Sequence, residues 1–172
     1  MINIHPYKQS DDSLCGPAVI KMVLQYYNIS ATELEIAEKC GHTYELGCDD
    51  LGMKRALESY GMDVIIQNNS SFDDMQFWLE KEIPVIVDWF SSGYNIGVAD
   101  PPNGHSSIVI DLDDQYIYLL DPEFGGIRKM IRNDFMRCWF DWKNSPIIVN
   151  WEDMILRQII VAYPNNNENS DM

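Results

Sequence analysis

Gln9-Ser10-Asp11-Asp12-Ser13-Leu14-Cys15-Gly16-Pro17-Ala18, followed at once by an apolar run reaching Ile29, is the stretch that decides how this 172-residue chain folds. Ala18, Met22 and Tyr26 fall along one side of a helical wheel with Val19, Val23 and Tyr27 beside them, so an amphipathic helix is predicted over Pro17 to Ile29. Proline suits the first turn, where its missing N–H would have had no partner. Cys15 then stands at or just before a helix N-terminus, where free N–H groups and the helix dipole favour a thiolate over a thiol. Gly16 is expected to let a substrate carbonyl approach the backbone beside the sulfur. Gln9, upstream, is placed to offer its amide to an oxyanion formed there.

A thiol is a weak nucleophile until a base takes its proton and a third group orients that base. Among the histidines, His5 lies near the terminus and His42 in a helix-to-loop region, and both are expected at the surface. His105 instead follows Gly104 and opens a run, Ser106 to Leu112, that reads as a strand. A second run, Tyr116 to Leu120, follows the turn residues Asp113-Asp114, so the two are expected to form an antiparallel hairpin. His105 and Asp121 are equidistant from Asp113, which predicts an imidazole and a carboxylate directly opposite each other.

Ser30 to Glu33 has capping-box spacing and is expected to open a second helix reaching about Lys39. Asp49 or Asp50 caps a third helix that stops at Gly61, and Ser71 to Asp74 starts a fourth over Met75 to Lys81. A strand at Met62 to Gln67 lies between the third and fourth. Pro84 to Trp89 and Gln158 to Tyr163 are further strands, and a helix is expected from Asn133 or Asp134 through Trp142. Ser91 to Gly104 reads as a long loop delivering His105. Helices first and strands later is an α+β pattern, expected as one domain over residues 1–163 with a flexible polar tail at 164–172.

The 46% hydrophobic content suits a packed core, and the formal net charge of −15 repels phosphate backbones. Nucleic acid is therefore not an expected partner; the charge either steers in a cationic peptide or basic protein surface or serves only as a solvated acidic surface that keeps the protein in solution. There is no run long enough to span a bilayer and no signal segment, and the four scattered cysteines suit a reducing cytoplasm. Cys40, His42 and Cys48 are irregularly spaced and lack a fourth ligand, so no metal and no cofactor are expected.

Gln9, Cys15-Gly16, His105 and Asp121-Pro122 together resemble the signature of the papain-like bacteriocin-processing cysteine peptidases: the leader-peptidase domains at the front of peptide-exporting ABC transporters and their stand-alone relatives. The resemblance covers roughly Gln9 to Gly126. It implies a papain-like fold in which the cysteine helix packs on an antiparallel sheet carrying the histidine and the aspartate. It implies roles too: Cys15 as nucleophile, His105 as base then acid, Asp121 orienting the imidazole, Gln9 as oxyanion donor, and a peptide or protein substrate. Two departures stand out. Leu14 occupies a place where the family commonly has an acidic or amide residue, and no membrane span or phosphate-loop pattern follows. Acyl transfer or deamidation by the same residues, or a non-catalytic peptide-binding module of the same fold, are the alternatives, and the sequence does not fix an oligomeric state.

Overall fold

A computed structural model of the chain describes residues 1–91, 104–143 and 151–165. The loop Ser91 to Gly104 and the tail expected at 164–172 lie largely outside the described residues.

Three helices come first: α1 (Cys15–Tyr26), α2 (Glu33–Cys40) and α3 (Asp50–Glu58). Cys15 is itself the first residue of α1, two residues ahead of the predicted start. The capping box of α2 is Thr32 with Glu35 rather than Ser30 with Glu33, because Thr32 takes the extended backbone that lets its hydroxyl accept from the Glu35 N–H. Asp49 caps α3 by accepting from the Gly52 N–H at 2.6 Å. Next come β1 (Met62–Gln67), α4 (Phe72–Leu79), capped by Ser71 and Asp74 as expected, and β2 (Val85–Phe90).

The second half holds β3 (Gly104–Leu112), β4 (Tyr116–Asp121), β5 (Gly126–Ile131), α5 (Arg132–Cys138), β6 (Phe140–Trp142), β7 (Met154–Leu156) and β8 (Ile159–Pro164). The six long strands form one antiparallel sheet in the order β1-β8-β2-β3-β4-β5, and β6 pairs with β7 in a separate ribbon. β5 was not anticipated: it is an edge strand whose Ile127 and Ile131 are exposed, so it lacks an apolar alternation. The helix predicted through Trp142 ends at Cys138, after which Phe140 to Trp142 join a strand.

Each face of the sheet carries a core. Helices α1 to α3 pack Val19, Ile20, Val23, Ile36 and Leu57 against Ile86, Ile108, Leu120 and Ile160. On the other face Met75 of α4 and Phe135 of α5 pack with Trp89, Val109, Leu119 and Trp139. Successive residues of a strand therefore serve opposite layers, and the register decides which side chains meet.

That register is where the hairpin departs from expectation. The turn closes through the Asp113 N–H to the Tyr116 carbonyl, so its centre lies beyond Asp113. Leu112 pairs with Ile117 and Asp111 with Tyr118, but beyond a bulge the pairs become Val109 with Leu119 and Ile108 with Leu120. The bulge at Ile110 reverses the alternation: Ile108 and Ile110 both face the α1 side, while Leu112 packs on the other side. Continuing this register places Asp121 opposite Ser107, two residues from His105. The direct opposition predicted for His105 and Asp121 is thus replaced by a diagonal contact on the same face.

Candidate active site

Cys15 sits half-buried at the mouth of α1. Leu14 is the N-cap and is buried, so no side chain caps the helix, and no acidic residue lies in its first turn. The positive end of the helix is left to the sulfur. The space that a Gly16 side chain would fill is closed by Cys48 Cβ at 3.2 Å and Met53 Sδ at 3.6 Å. This glycine makes room for the packing of α1 against α3 and its preceding loop, which corrects the expectation that it opens the way for substrate.

Next to the sulfur, within hydrogen-bonding reach, lie the His105 ring and the Ser106 backbone and hydroxyl. His105 is buried at the start of β3, edge-on to Trp89, with ring centroids 5.6 Å apart. Its Nε2 meets Asp121 Oδ1 at 2.8 Å, which leaves Nδ1 for the sulfur. Burial pushes the Cys15 thiol up, but the hydrogen bond and charge of His105, with help from Ser106, bring its pKa below the ordinary value. Burial pushes the imidazole down, but Asp121 and then Cys15 carry it up to about 10. Both shifts favour the thiolate–imidazolium pair over the neutral pair.

Asp121 is fully buried and satisfied by donors. Its Oδ1 also accepts from the Glu123 N–H at 2.9 Å, and Oδ2 accepts from Arg128 Nε at 2.6 Å. Burial raises its pKa, yet His105 and Arg128 hold it below the usual carboxylate value. Arg128 also donates to Glu123 at 3.1 Å. His105, Asp121 and Glu123 present ligand atoms within 4.8 Å of one another, but the guanidinium already supplies that cluster with a cation. Arg128 carries no sequence signal of its own, because β5 lacks the apolar alternation that marks a strand. Once β5 is paired with β4, Gly126 stands opposite Asp121 and Arg128 falls on the diagonal.

Gln9 is buried, and its backbone N–H donates to the Pro122 carbonyl at 2.9 Å, tying the segment before the helix to the end of β4. Its Nε2 donates to the Asp11 carbonyl at 2.9 Å. That bond uses one of the two amide hydrogens. His42 is not a free surface residue: its Nε2 lies 3.0 Å from both the carbonyl and the hydroxyl of Ser13, bracing the approach to Cys15. Cys40 and Cys138 are buried, and burial raises the Cys138 thiol to about 11. The neighbouring Cys40 thiol, with burial, pushes the half-buried Cys48 upward.

These differences give a direct expectation for thiol chemistry. Iodoacetamide at pH 6 to 7 should alkylate Cys15 while sparing Cys138, and the Cys15 rate should rise with pH at lower pH than that of a free thiol. Peptide mapping by mass spectrometry as a function of pH measures this. A Cys15 rate that rises only near pH 9, as for a free thiol, contradicts the ion pair.

The same sequence matches the Peptidase_C39 like family over residues 1–147. The chain belongs to the Peptidase_C39 like family. This C39-like chain is 27% identical over 131 residues to the lactococcin-G-processing and transport ATP-binding protein LagD of Lactococcus lactis subsp. lactis, covering 76% of the chain but only 17% of LagD. It is 28% identical over 127 residues to an uncharacterized protein of Methanothermobacter marburgensis, covering 74% of the chain and 76% of that protein. Among solved structures, the peptidase domain of Streptococcus ComA, a bifunctional ABC transporter of a quorum-sensing pathway, superposes with a TM-score of 0.68 at 17% identity, covering 96% and 100% of the two chains. A double glycine motif protease from an AMS/PCAT transporter, in complex with its leader peptide, gives a TM-score of 0.65 at 19% identity over 95% and 94%. The mixed fold of helices and antiparallel sheet is the fold of these C39 peptidase domains.

Arg128, the partner of Asp121, also carries a testable role for the C39-like site. Arg128→Gln removes the cation that holds Asp121 ionised, so the Asp121 pKa rises and the carboxylate is lost at a higher pH as the solution is acidified. Hydrolysis on the acid side of the profile should therefore fall relative to the parent protein. The acidic limb of the pH profile should move upward. An unchanged limb would make Arg128 a purely structural residue.

Proposed function

We propose that this chain is a cysteine peptidase that cuts peptide or protein amide bonds through a thioester on Cys15. One observation carries the proposal: a sulfur at an uncapped helix mouth faces an imidazole whose far nitrogen is held by a buried carboxylate at 2.8 Å. Cys15 as thiolate attacks the substrate carbonyl carbon, and the carbonyl electron pair moves onto oxygen. His105, protonated on Nδ1, gives that proton to the leaving amine as the carbon–nitrogen bond breaks. Water then attacks the thioester, His105 takes its proton, and the carbon–sulfur bond breaks to return the thiolate. Asp121 fixes the ring so that Nδ1 stays aimed at the sulfur.

Gln9 is assigned the oxyanion, through the amide hydrogen not used by Asp11. Gln9→Ala should lower kcat by about 10²- to 10³-fold with little change in KM, because the interaction forms only as the oxyanion develops. Equal losses in binding and turnover would remove Gln9 from that role. The family match and the leader-peptide complex of its structural neighbour support a leader-like peptide as substrate. The free thiols of the described cysteines support a reducing compartment, which we take to be the cytoplasm. Among the described residues no helix is long and apolar enough to cross a membrane.

Mass spectrometry of a peptide library incubated with the protein tests the proposal. Shortened peptides, lost in Cys15→Ala, are the expected result. Amine adducts or single deamidations would assign the same residues to acyl transfer or deamidation instead. Unaltered peptides that nevertheless stay bound would mark a binding module.

A further inference from the structure

Beside Cys15 a cavity of about 480 Å³ opens, walled by Asp50, Asp88, Ser106, Asp141 and Leu51 among others. Among the described residues six carboxylates line it against two cations, Arg55 and Lys143. Arg55 is engaged by Asp49 and by the Cys40 carbonyl. Lys143 is exposed at the rim.

Asp88 is the unusual member. It stands on β2 opposite Ser106 and is only 6% exposed. Its Oδ1 accepts from the Ser106 hydroxyl at 2.5 Å, but its Oδ2, buried in the wall, has no donor among the described residues. What faces it is another acceptor, the carboxyl of Asp50 on the first turn of α3, with Asp141 also close enough to act on its charge. Asp141 is fixed at the end of β3: a Gly104 side chain would strike its carboxylate oxygens at 2.5 Å, and Oδ1 accepts from the Trp142 N–H at 2.7 Å. A buried carboxylate oxygen with no donor is costly, and two facing carboxyls are relieved either by a proton shared between them or by a positive charge brought beside them.

We infer that this cavity is a specificity subsite that takes a cationic side chain, lysine or arginine, of the peptide cut at Cys15. A compact metal ion fits less well, because the oxygens of Asp50, Asp88 and Asp141 do not close to within 4.8 Å as a set. An ammonium or guanidinium spans such a spread with several donors, and its stem lies on the apolar wall offered by Leu51. Burial together with the neighbouring carboxyls raises Asp88 well above its ordinary value, and burial brings Asp141 to about 6, so an entering cation also draws these groups into their charged form. The inference rests on Cys15 as the nucleophile proposed above, and its test reads the cavity separately from hydrolysis.

The sulfur itself is the reporter. The protein is treated with aminoethyl methanethiosulfonate, a cation, or with sulfonatoethyl methanethiosulfonate, an anion, and Cys15 labelling is located by peptide mass spectrometry, with each rate normalised to free cysteine. The cationic reagent should be favoured by about tenfold or more, as expected for one charge met by carboxylates a few ångströms away. Asp50→Asn, a partly buried position whose replacement leaves the buried Asp88 in place, should cut the preference severalfold. Asp114→Asn, in the exposed hairpin turn, should leave it unchanged. In parallel, peptides differing only by lysine or norleucine near the cut should differ in kcat/KM, and Asp50→Asn should erase the difference. Equal rates for both reagents, or equal losses in the Asp50 and Asp114 variants, overturn the subsite and assign the preference to the overall charge. A cationic labelling preference without any peptide cleavage would sink the peptidase proposal and leave the cation site standing.

Discussion

Cys15→Ala should abolish peptide hydrolysis, with a loss on the order of 10⁴- to 10⁶-fold, while the fold and peptide binding persist. The size follows from the loss of the sulfur proposed to form the thioester, after which the proposed oxyanion donor and binding alone give the residual rate. The folded state should tolerate the change, because Cys15 is half-buried and the helix it opens is held by Val19, Ile20 and Val23 in the core. Activity should be measured by mass spectrometry, the fold by circular dichroism, and binding by titration with a peptide that the parent protein cuts. A variant that still cleaves would transfer the chemistry to other residues. A variant that neither folds nor binds would be replaced by Cys15→Ser, which keeps the volume and removes the thiolate.

Asp121→Asn should lower kcat by roughly 10²- to 10⁴-fold, the range that general acid–base catalysis supplies. Arg128 is the reason an amide cannot stand in. Oδ1 accepts from His105 and the Glu123 N–H, and Oδ2 accepts from Arg128. An asparagine has one oxygen, so whichever way it turns, its NH₂ group points at a donor. Removing the clash should help: Asp121→Asn combined with Arg128→Gln should be more active than Asp121→Asn alone, because the glutamine oxygen can accept from the new amide. A double variant as poor as the product of the two single losses would show that the two residues act independently.

Much of this site was legible because it lies where local chemistry and periodicity agree. Cys15, the apolar face of α1, the Asp49 and Ser71 caps and the strand at Met62 to Gln67 all follow from spacing within a few residues. His105 and Asp121 were found as a pair, since both flank the same hairpin. The missing parts depend on contacts distant in sequence. β5 is an exposed edge with no apolar rhythm, and without it Arg128 had no visible reason to approach Asp121. Asp88 reads in the sequence as one more strand residue, and only the pairing of β2 with β3 brings it beside Ser106. His42 looked like a surface histidine until the turn after α2 folded it against Ser13. Gly16 shows the reverse: its role was assigned to an absent substrate when Cys48 already occupied the space.

The extra residue at Ile110 makes hairpin length a matter of odd and even. With the turn centred where it is, an unbroken ladder would set Asp121 opposite Ile108 and turn His105 toward the other layer. Inserting or deleting one residue between Val109 and Leu119 would therefore separate ring and carboxylate even with every side chain of the candidate site retained. A change of two would keep them on one side. Any descendant of this chain that altered the loop by a single residue would need to gain or lose a kink in the same step, so the two can vary only together.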